Sequence, residues 1–185
     1  MEQIVQLNSK VNLSEHLASP SEATLGNSSK LDCAHLSPHF VLGEFTRSKY
    51  PEVYNIPSHE AIANLANLCT WLEVLREKAS QPIIINSGYR SPQLNRKVGG
   101  APTSNHLTGC AVDIRTNGME QAICYAAILI NYAKESQQDY DELLIEKNRY
   151  GAVWVHFAVR PKERSAAQGD ACLSKNRRKV AFLNA

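Results

Sequence analysis

The sequence predicts an α+β fold in which a small antiparallel sheet is flanked by helices. Two segments, 58–78 and about 118–136, show the apolar spacing of helices, and four shorter segments show the alternation or the β-branched runs of strands. The chain has 185 residues, of which 43% are hydrophobic and 21% charged, as in ordinary globular domains. This composition excludes a fully disordered chain, a collagen and a coiled coil.

The first predicted helix, 58–78, has both a start signal and an apolar face. Ser58 can cap it and Glu60 lies in its first turn, while apolar residues recur at helical spacing from Ile62 to Leu75. The second predicted helix, about 118–136, is dense in Ala, Ile and Leu. We therefore expect both helices to pack against the sheet.

Four segments predict the strands of this sheet. Because successive side chains of a strand point to opposite faces, Asp113 is expected opposite Val112, and His156 opposite Val155. Asp113 and His156 should therefore lie on the faces of two strands that do not contact the core. The four segments are the isoleucine run at 83–85, CAVDI at 110–114, DELLIE at 141–146 and VWVHFAV at 153–159.

The composition divides the chain into three parts. Residues 1–37 are rich in Ser and Asn and have no sustained apolar period, which predicts a loosely structured leader. Residues 38–161 contain the predicted helices and strands and are expected to form the domain. Residues 162–185 are polar and basic, with the run NRRK, which is typical of a solvated tail.

The charge balance and the apolar stretches limit the partners. Lys and Arg number 20 and Asp and Glu 18, and the resulting net charge of +2 is too small to favour nucleic acid. The longest nearly apolar stretch, 122–130, is about half of the roughly 20 residues of a membrane helix, so we expect no membrane span. Because no secretion signal is visible, we expect a protein that is cytoplasmic at synthesis. The sequence does not indicate an oligomeric state.

One segment, SNHLTGCAVDI at 104–114, carries candidate metal ligands. Gly109 can form the tight turn that brings the loop residue His106 beside the strand residue Asp113. Catalytic zinc usually takes three protein ligands and keeps a fourth position for water. The cysteines are widely spaced and include no CxxC pair, which argues against a thiolate zinc site. His156, on the predicted strand VWVHFAV, is the best candidate for the third ligand.

A wider pattern resembles the zinc D-alanyl-D-alanine carboxypeptidase family, whose fold is shared with the hedgehog signalling domain. It is the pattern Ser-x-His-x-x-Gly-x-Ala-x-Asp, here at 104–113, followed by Trp-x-His at 154–156. SGYRS at 87–91 and VGG at 98–100 are similar to the phage and bacterial murein peptidases of that family. The resemblance covers about residues 39–159.

This resemblance implies a function and a set of site residues. It implies one zinc ion on His106, Asp113 and His156, with Arg90 engaging a substrate carboxylate and Ser104 orienting the substrate or supporting the site. The implied activity is hydrolysis of peptidoglycan (murein) stem peptides by metal-activated water. The enzyme would act as a D-Ala-D-Ala carboxypeptidase or as an endolysin-type endopeptidase, and release to the cell wall as a phage lysis enzyme would fit the latter.

The general base departs from the family pattern. Many family members carry a carboxylate three residues before the last zinc histidine, where this chain has Val153. The nearest acids are Glu146 and Glu142, and we favour Glu146, because it follows an apolar run that could partly desolvate it. The alternative is a catalytically inactive, hedgehog-like module that binds zinc for structure or recognition.

Overall fold

The computed structural model describes residues 32–161 and 179–184 and has an α+β architecture, which confirms the predicted fold class. Predictions for 1–31 and 162–178 lie outside the described residues. The elements are β1 (His35–Ser37), β2 (Phe40–Val41), α1 (Leu42–Thr46), α2 (His59–Ala79), β3 (Ile85–Ser87), α3 (Pro92–Lys97), a 3₁₀ helix (Asn105–Thr108), β4 (Ala111–Arg115), α4 (Met119–Ser136), β5 (Glu142–Lys147), β6 (Val153–Ala158) and β7 (Lys179–Asn184).

The main sheet has the strand order β3-β4-β6-β5-β7, while β1 and β2 form a separate pair. Neighbouring strands from β3 to β5 are antiparallel, as predicted. The edge strand β7 differs, because it pairs with β5 in parallel. A parallel neighbour needs a long connection, and the chain between β6 and β7 is long enough to supply one.

The register of the central strands gives the sheet two chemically different faces. Asp113 pairs with His156, and the adjacent pair is Val112 with Phe157. Because directly paired residues share a face, Asp113 and His156 lie together on one side. Val112 and Phe157 belong to the hydrophobic core on the other side. The predicted placement of Asp113 and His156 away from the core is thereby confirmed.

The helices α2 and α4 pack on the core face of the sheet. The Ser58 hydroxyl caps α2 by accepting from the Ala61 N–H at 3.2 Å, as its sequence predicts. Trp71 of α2 contacts Phe157 of β6, with ring centroids 5.2 Å apart. Both helices lie within one residue of their predicted bounds. Among the described residues, no helix combines the length and the apolarity needed to cross a membrane.

Some elements differ from the sequence prediction. The helix α3 lies between the segments predicted as strands at 83–85 and 110–114, where the sequence patterns predict no helix. Ser91 caps it by accepting from the Leu94 N–H, and Pro92 occupies its first position. The strand predicted from Ile83 begins only at Ile85. In addition, β1 and β7 lie outside the range 38–161 predicted for the domain.

Candidate metal centre

The 3₁₀ helix, β4 and β6 bring three candidate ligands together on the polar face of the sheet. His106, Asp113 and His156 each offer a ligand atom, and these atoms lie within 4.8 Å of one another. The three residues are 2%, 9% and 8% exposed, respectively. A buried cluster of two imidazoles and one carboxylate is therefore present where the sequence predicts it.

The loop before β4 fixes the position of His106. The Ser104 hydroxyl accepts from the His106 backbone N–H at 3.4 Å, and Gly109 ends the 3₁₀ turn with a φ of 73°. The imidazole Nδ1 lies 2.6 Å from the Gly88 carbonyl oxygen, so Nδ1–H is the donor of that bond. The other ring nitrogen, Nε2, lies 3.3 Å from Asp113 Oδ1.

His156 approaches the same oxygen from the other side. Its Nδ1 lies 2.9 Å from Asp113 Oδ1, and its Nε2 lies 3.3 Å from Glu142 Oε2. Asp113 Oδ1 is thus the point at which both imidazoles meet. Two imidazole nitrogens and one carboxylate oxygen, with the outer ring nitrogens held by a carbonyl and a carboxylate, are the donor set of a catalytic zinc site. The residues present therefore fit zinc.

Arg90 binds the carboxylate of the cluster. Its Nη2 donates to Asp113 Oδ2 at 2.6 Å, and its Nε donates to the Ser87 hydroxyl at 2.9 Å. The resemblance implied that Arg90 engages a substrate carboxylate, whereas in the structure the carboxylate it binds is that of Asp113. This pair fixes the orientation of Asp113, so that Oδ1 faces the two imidazoles.

In the metal-free cluster, the pKa of Asp113 is lowered and the pKa of His156 is raised. Burial raises the pKa of Asp113, but His106 and His156 outweigh it and hold that pKa well below its usual range. Burial lowers the pKa of His156, but the hydrogen bonds to Asp113 and Glu142 raise it, and the net value is about 9. A divalent cation would therefore have to displace a proton from His156.

Two acids of β5 lie on the same face as the cluster. Glu142 contacts His156 and also accepts from the Asn105 amide at 3.3 Å; the bond to His156 is the largest cause of its lowered pKa. Glu146 is paired with Trp154, whose indole N–H donates to Glu146 Oε2 at 2.5 Å. Both candidate bases are thus near the centre, but Glu142 alone of the two directly contacts one of the ligands.

The side chain of Val153 does not face the metal centre. It lies three residues before His156 in β6, and side chains at odd offsets in a strand point to opposite faces. Val153 is accordingly packed in the hydrophobic core.

Several contacts of the centre were missed by the sequence analysis. The Gly88 carbonyl, the Arg90–Asp113 pair and the Glu142–His156 contact all join residues distant in the chain. The sequence carries a signal for the Glu142 contact alone. The alternation in β5 and β6 places Glu142 and Glu146 on the face of His156 once the two strands are paired.

Comparison with models of protein families identifies a family for this chain. A model of the peptidase M15 family matches residues 38–144, which is more than half of the chain. The matched range includes His106 and Asp113 and ends before Glu146 and His156. No curated protein matches the sequence significantly.

Proposed function

The chain belongs to the peptidase M15 family, and from this premise we propose that it is a zinc peptidase that hydrolyses the stem peptides of murein. The observation that carries the proposal is the convergence of His106, Asp113 and His156 on one buried point. The murein substrate is supported by the resemblance of the motifs at 87–91, 98–100 and 104–113 to the murein peptidases.

Three side chains would hold the metal and others would hold them in place. His106, Asp113 and His156 are the proposed ligands of one zinc ion. When bound, zinc supplies a Lewis acid that polarises the scissile carbonyl and acidifies water. Arg90 orients Asp113, while the Gly88 carbonyl and the Glu142 carboxylate orient the two imidazoles. Ser104 supports the site through the backbone of His106.

Glu146 is the proposed general base. The indole of Trp154 fixes its Oε2, and its Oε1 has no hydrogen-bond partner among the described residues. Glu142 has contacts with His156, Asn105 and, at 3.9 Å, Lys179. Glu146 Oε1 is therefore the freer oxygen to accept a proton from the attacking water and to return it to the leaving amine nitrogen.

A second candidate function is a zinc-binding recognition module without turnover. Val153 favours it, because the chain has this apolar residue where many family members have a carboxylate. The two functions share the metal centre and differ in whether Glu146 moves a proton.

Activity on purified murein separates the two functions. We expect the zinc-loaded chain to release soluble peptide or free D-alanine, detected by mass spectrometry, and the H106A variant to release none. His59→Ala is the matched control, because His59 is exposed at the start of α2 and outside the metal centre. One zinc per chain with no release from any murein substrate would contradict the peptidase and favour the module.

The products also identify the scissile bond. A D-Ala-D-Ala carboxypeptidase releases D-alanine and leaves the murein insoluble, whereas an endolysin-type endopeptidase cuts cross-linking peptides and dissolves it. Release to the cell wall as a phage lysis enzyme stays a prediction, and it requires the second result.

A further inference from the structure

A cleft of about 720 Å³ runs along β3, which is an edge strand of the main sheet. We call it the β3 cleft. Its walls come from the loop after α1, from β3, from α3 and from the end of β4. The lining residues that matter for its chemistry are Arg47, Lys49, Ile84, Arg90, Val98 and Arg115.

The β3 cleft reaches the metal centre. Ser87 and Arg90 both line it, and Ser87 lies opposite Asp113 in the register of β3 and β4. Arg90 binds the Asp113 carboxylate directly. A ligand lying along β3 would therefore contact the residues of the metal centre at one end.

The cleft carries more positive charge than its own acids neutralise. Arg47, Lys49 and Arg115 are exposed, and none of them forms an ion pair with another described residue. Arg115 is held by Asn86, whose Oδ1 accepts from its Nε at 3.0 Å, and no described residue bonds its two terminal nitrogens. Among the described residues of the lining, the one acid is Glu44, which accepts from the Val41 N–H instead.

The cleft also offers apolar surface between these charges. Ile84 and Val98 are 48% and 41% exposed and line the same cleft. A guanidinium presents paired donors that match a carboxylate, and aliphatic side chains match short alkyl groups. The lining as a whole complements a short peptide that has small apolar side chains and free carboxylates.

We propose that the β3 cleft binds the non-reacting part of the substrate, and that Arg47 and Arg115 there recognise its free carboxylates. The preferred substrate is then an acidic peptide. This inference rests on the proposed function, because it names the substrate class of the same site.

The test compares two forms of one murein stem peptide, with its side carboxylates free or converted to amides. Binding of each labelled peptide to the metal-free full chain is measured by fluorescence anisotropy, and KM and kcat are measured on the zinc-loaded chain. We expect R47Q/R115Q to weaken binding of the acidic form, and to raise its KM, by roughly five- to tenfold. Binding of the amide form and kcat should stay within about twofold.

The matched control is R76Q/K134Q, which removes the same charge from α2 and α4, outside the cleft. It should bind both peptides as the wild type does. Equal loss in the two double variants would overturn the assignment, since it would show a general effect of net charge. Tighter binding of duplex DNA than of the acidic peptide would overturn it as well.

The assay separates this inference from the proposed function. If the chain cleaves both peptides equally and R47Q/R115Q behaves like the control, the cleft assignment fails and the peptidase stands. If the chain binds the acidic peptide through Arg47 and Arg115 but cleaves no murein peptide, the proposed function fails and the cleft assignment stands for a peptide ligand.

Discussion

At the scale of single residues, the two imidazoles of the metal centre are held by different groups. The outer nitrogen of His106 is held by the Gly88 backbone carbonyl, whereas that of His156 is held by the Glu142 side chain. The contact of Glu142 with His156 can be removed by substituting Glu142, because it is made by a side chain. We therefore propose that Glu142 positions His156 and that Glu146 moves the proton.

Paired glutamine variants test this division. We expect E142Q to weaken zinc binding about tenfold while kcat at saturating zinc stays near the wild-type value. E146Q should bind zinc as the wild type does and lose about 10²- to 10⁴-fold in kcat. Zinc affinity is measured by competition with a chromophoric chelator. The opposite assignment follows if E142Q is the variant that loses kcat with its zinc retained.

The raised pKa of His156 predicts how zinc binding depends on pH. In the metal-free chain the pKa of His156 rises from 6.5 to about 9, so the ring is protonated at neutral pH and zinc must displace that proton. Zinc affinity should therefore rise by up to about tenfold per pH unit between pH 6.5 and 9. Calorimetry in two buffers of different ionisation enthalpy should show about one proton released at pH 7.5. A pH-independent affinity over this range would refute the assignment.

The same shift predicts the stability of the metal-free chain. Because the folded-state pKa of His156 lies above its usual value, its stabilising contribution is complete below pH 6.5. It is lost as the pH rises through about 9. Urea unfolding in chelator at pH 6 and pH 9.5 measures this loss, which H156A should abolish.

At the scale of elements, the turn at Gly109 joins the metal centre to α2. Gly109 has a φ of 73°, and a side chain there would collide with the Ala61 backbone oxygen. Gly99 has nearly the same φ, 74°, but open space around it. The two glycines therefore separate backbone strain from close packing.

Alanine at each glycine measures the two effects. We expect G99A to cost about 1 kcal/mol in the free energy of unfolding, since only the left-handed conformation is penalised. G109A should cost about 2 to 4 kcal/mol, because the collision adds to that strain and displaces His106. Urea denaturation of the metal-free chains measures both values. Equal costs would show that the approach to Ala61 is unimportant.

The elements also show which parts of the fold a sequence can predict. The helix α2 was predicted within one residue, because its cap and apolar period are local signals. The signals of α3, Ser91 and Pro92, were equally local, but the helix has only six residues and no repeated apolar period. The strand β7 pairs with the distant β5, and nothing local to 179–184 indicates that partner. Local patterns thus predicted the long elements and missed the short or distantly paired ones.

The same limit applies to the metal centre. The ligands could be predicted because strand alternation and the turn at Gly109 are written in the sequence. The partner of Arg90 could not, since its contact with Asp113 depends on the register of β3 and β4. That register is a tertiary property.

At the scale of the whole molecule, one face of the main sheet packs in the hydrophobic core and the other carries the metal centre. Neighbouring residues of β6 serve different faces: Phe157 is packed in the core against Trp71, and His156 belongs to the metal centre. Substitutions on the two faces should therefore have separable effects.

Alanine at these two neighbours tests the separation. F157A should cost about 3 to 5 kcal/mol in unfolding free energy, because it leaves a cavity in the core, while the folded fraction still binds zinc. H156A should abolish zinc binding and cost less than F157A when both are measured in chelator. Unfolding by urea and zinc content of the folded fraction are the two readouts. A larger loss of stability in H156A would mean that the polar face also carries the fold.

A zinc titration of the metal-free chain tests whether His106, Asp113 and His156 hold one zinc ion. We expect one ion per chain for the wild type and for H59A, and at least a hundredfold weaker binding for H106A and for D113A. If H106A and D113A bound zinc as tightly as the wild type, or if the wild type bound no zinc, this set of ligands would be wrong.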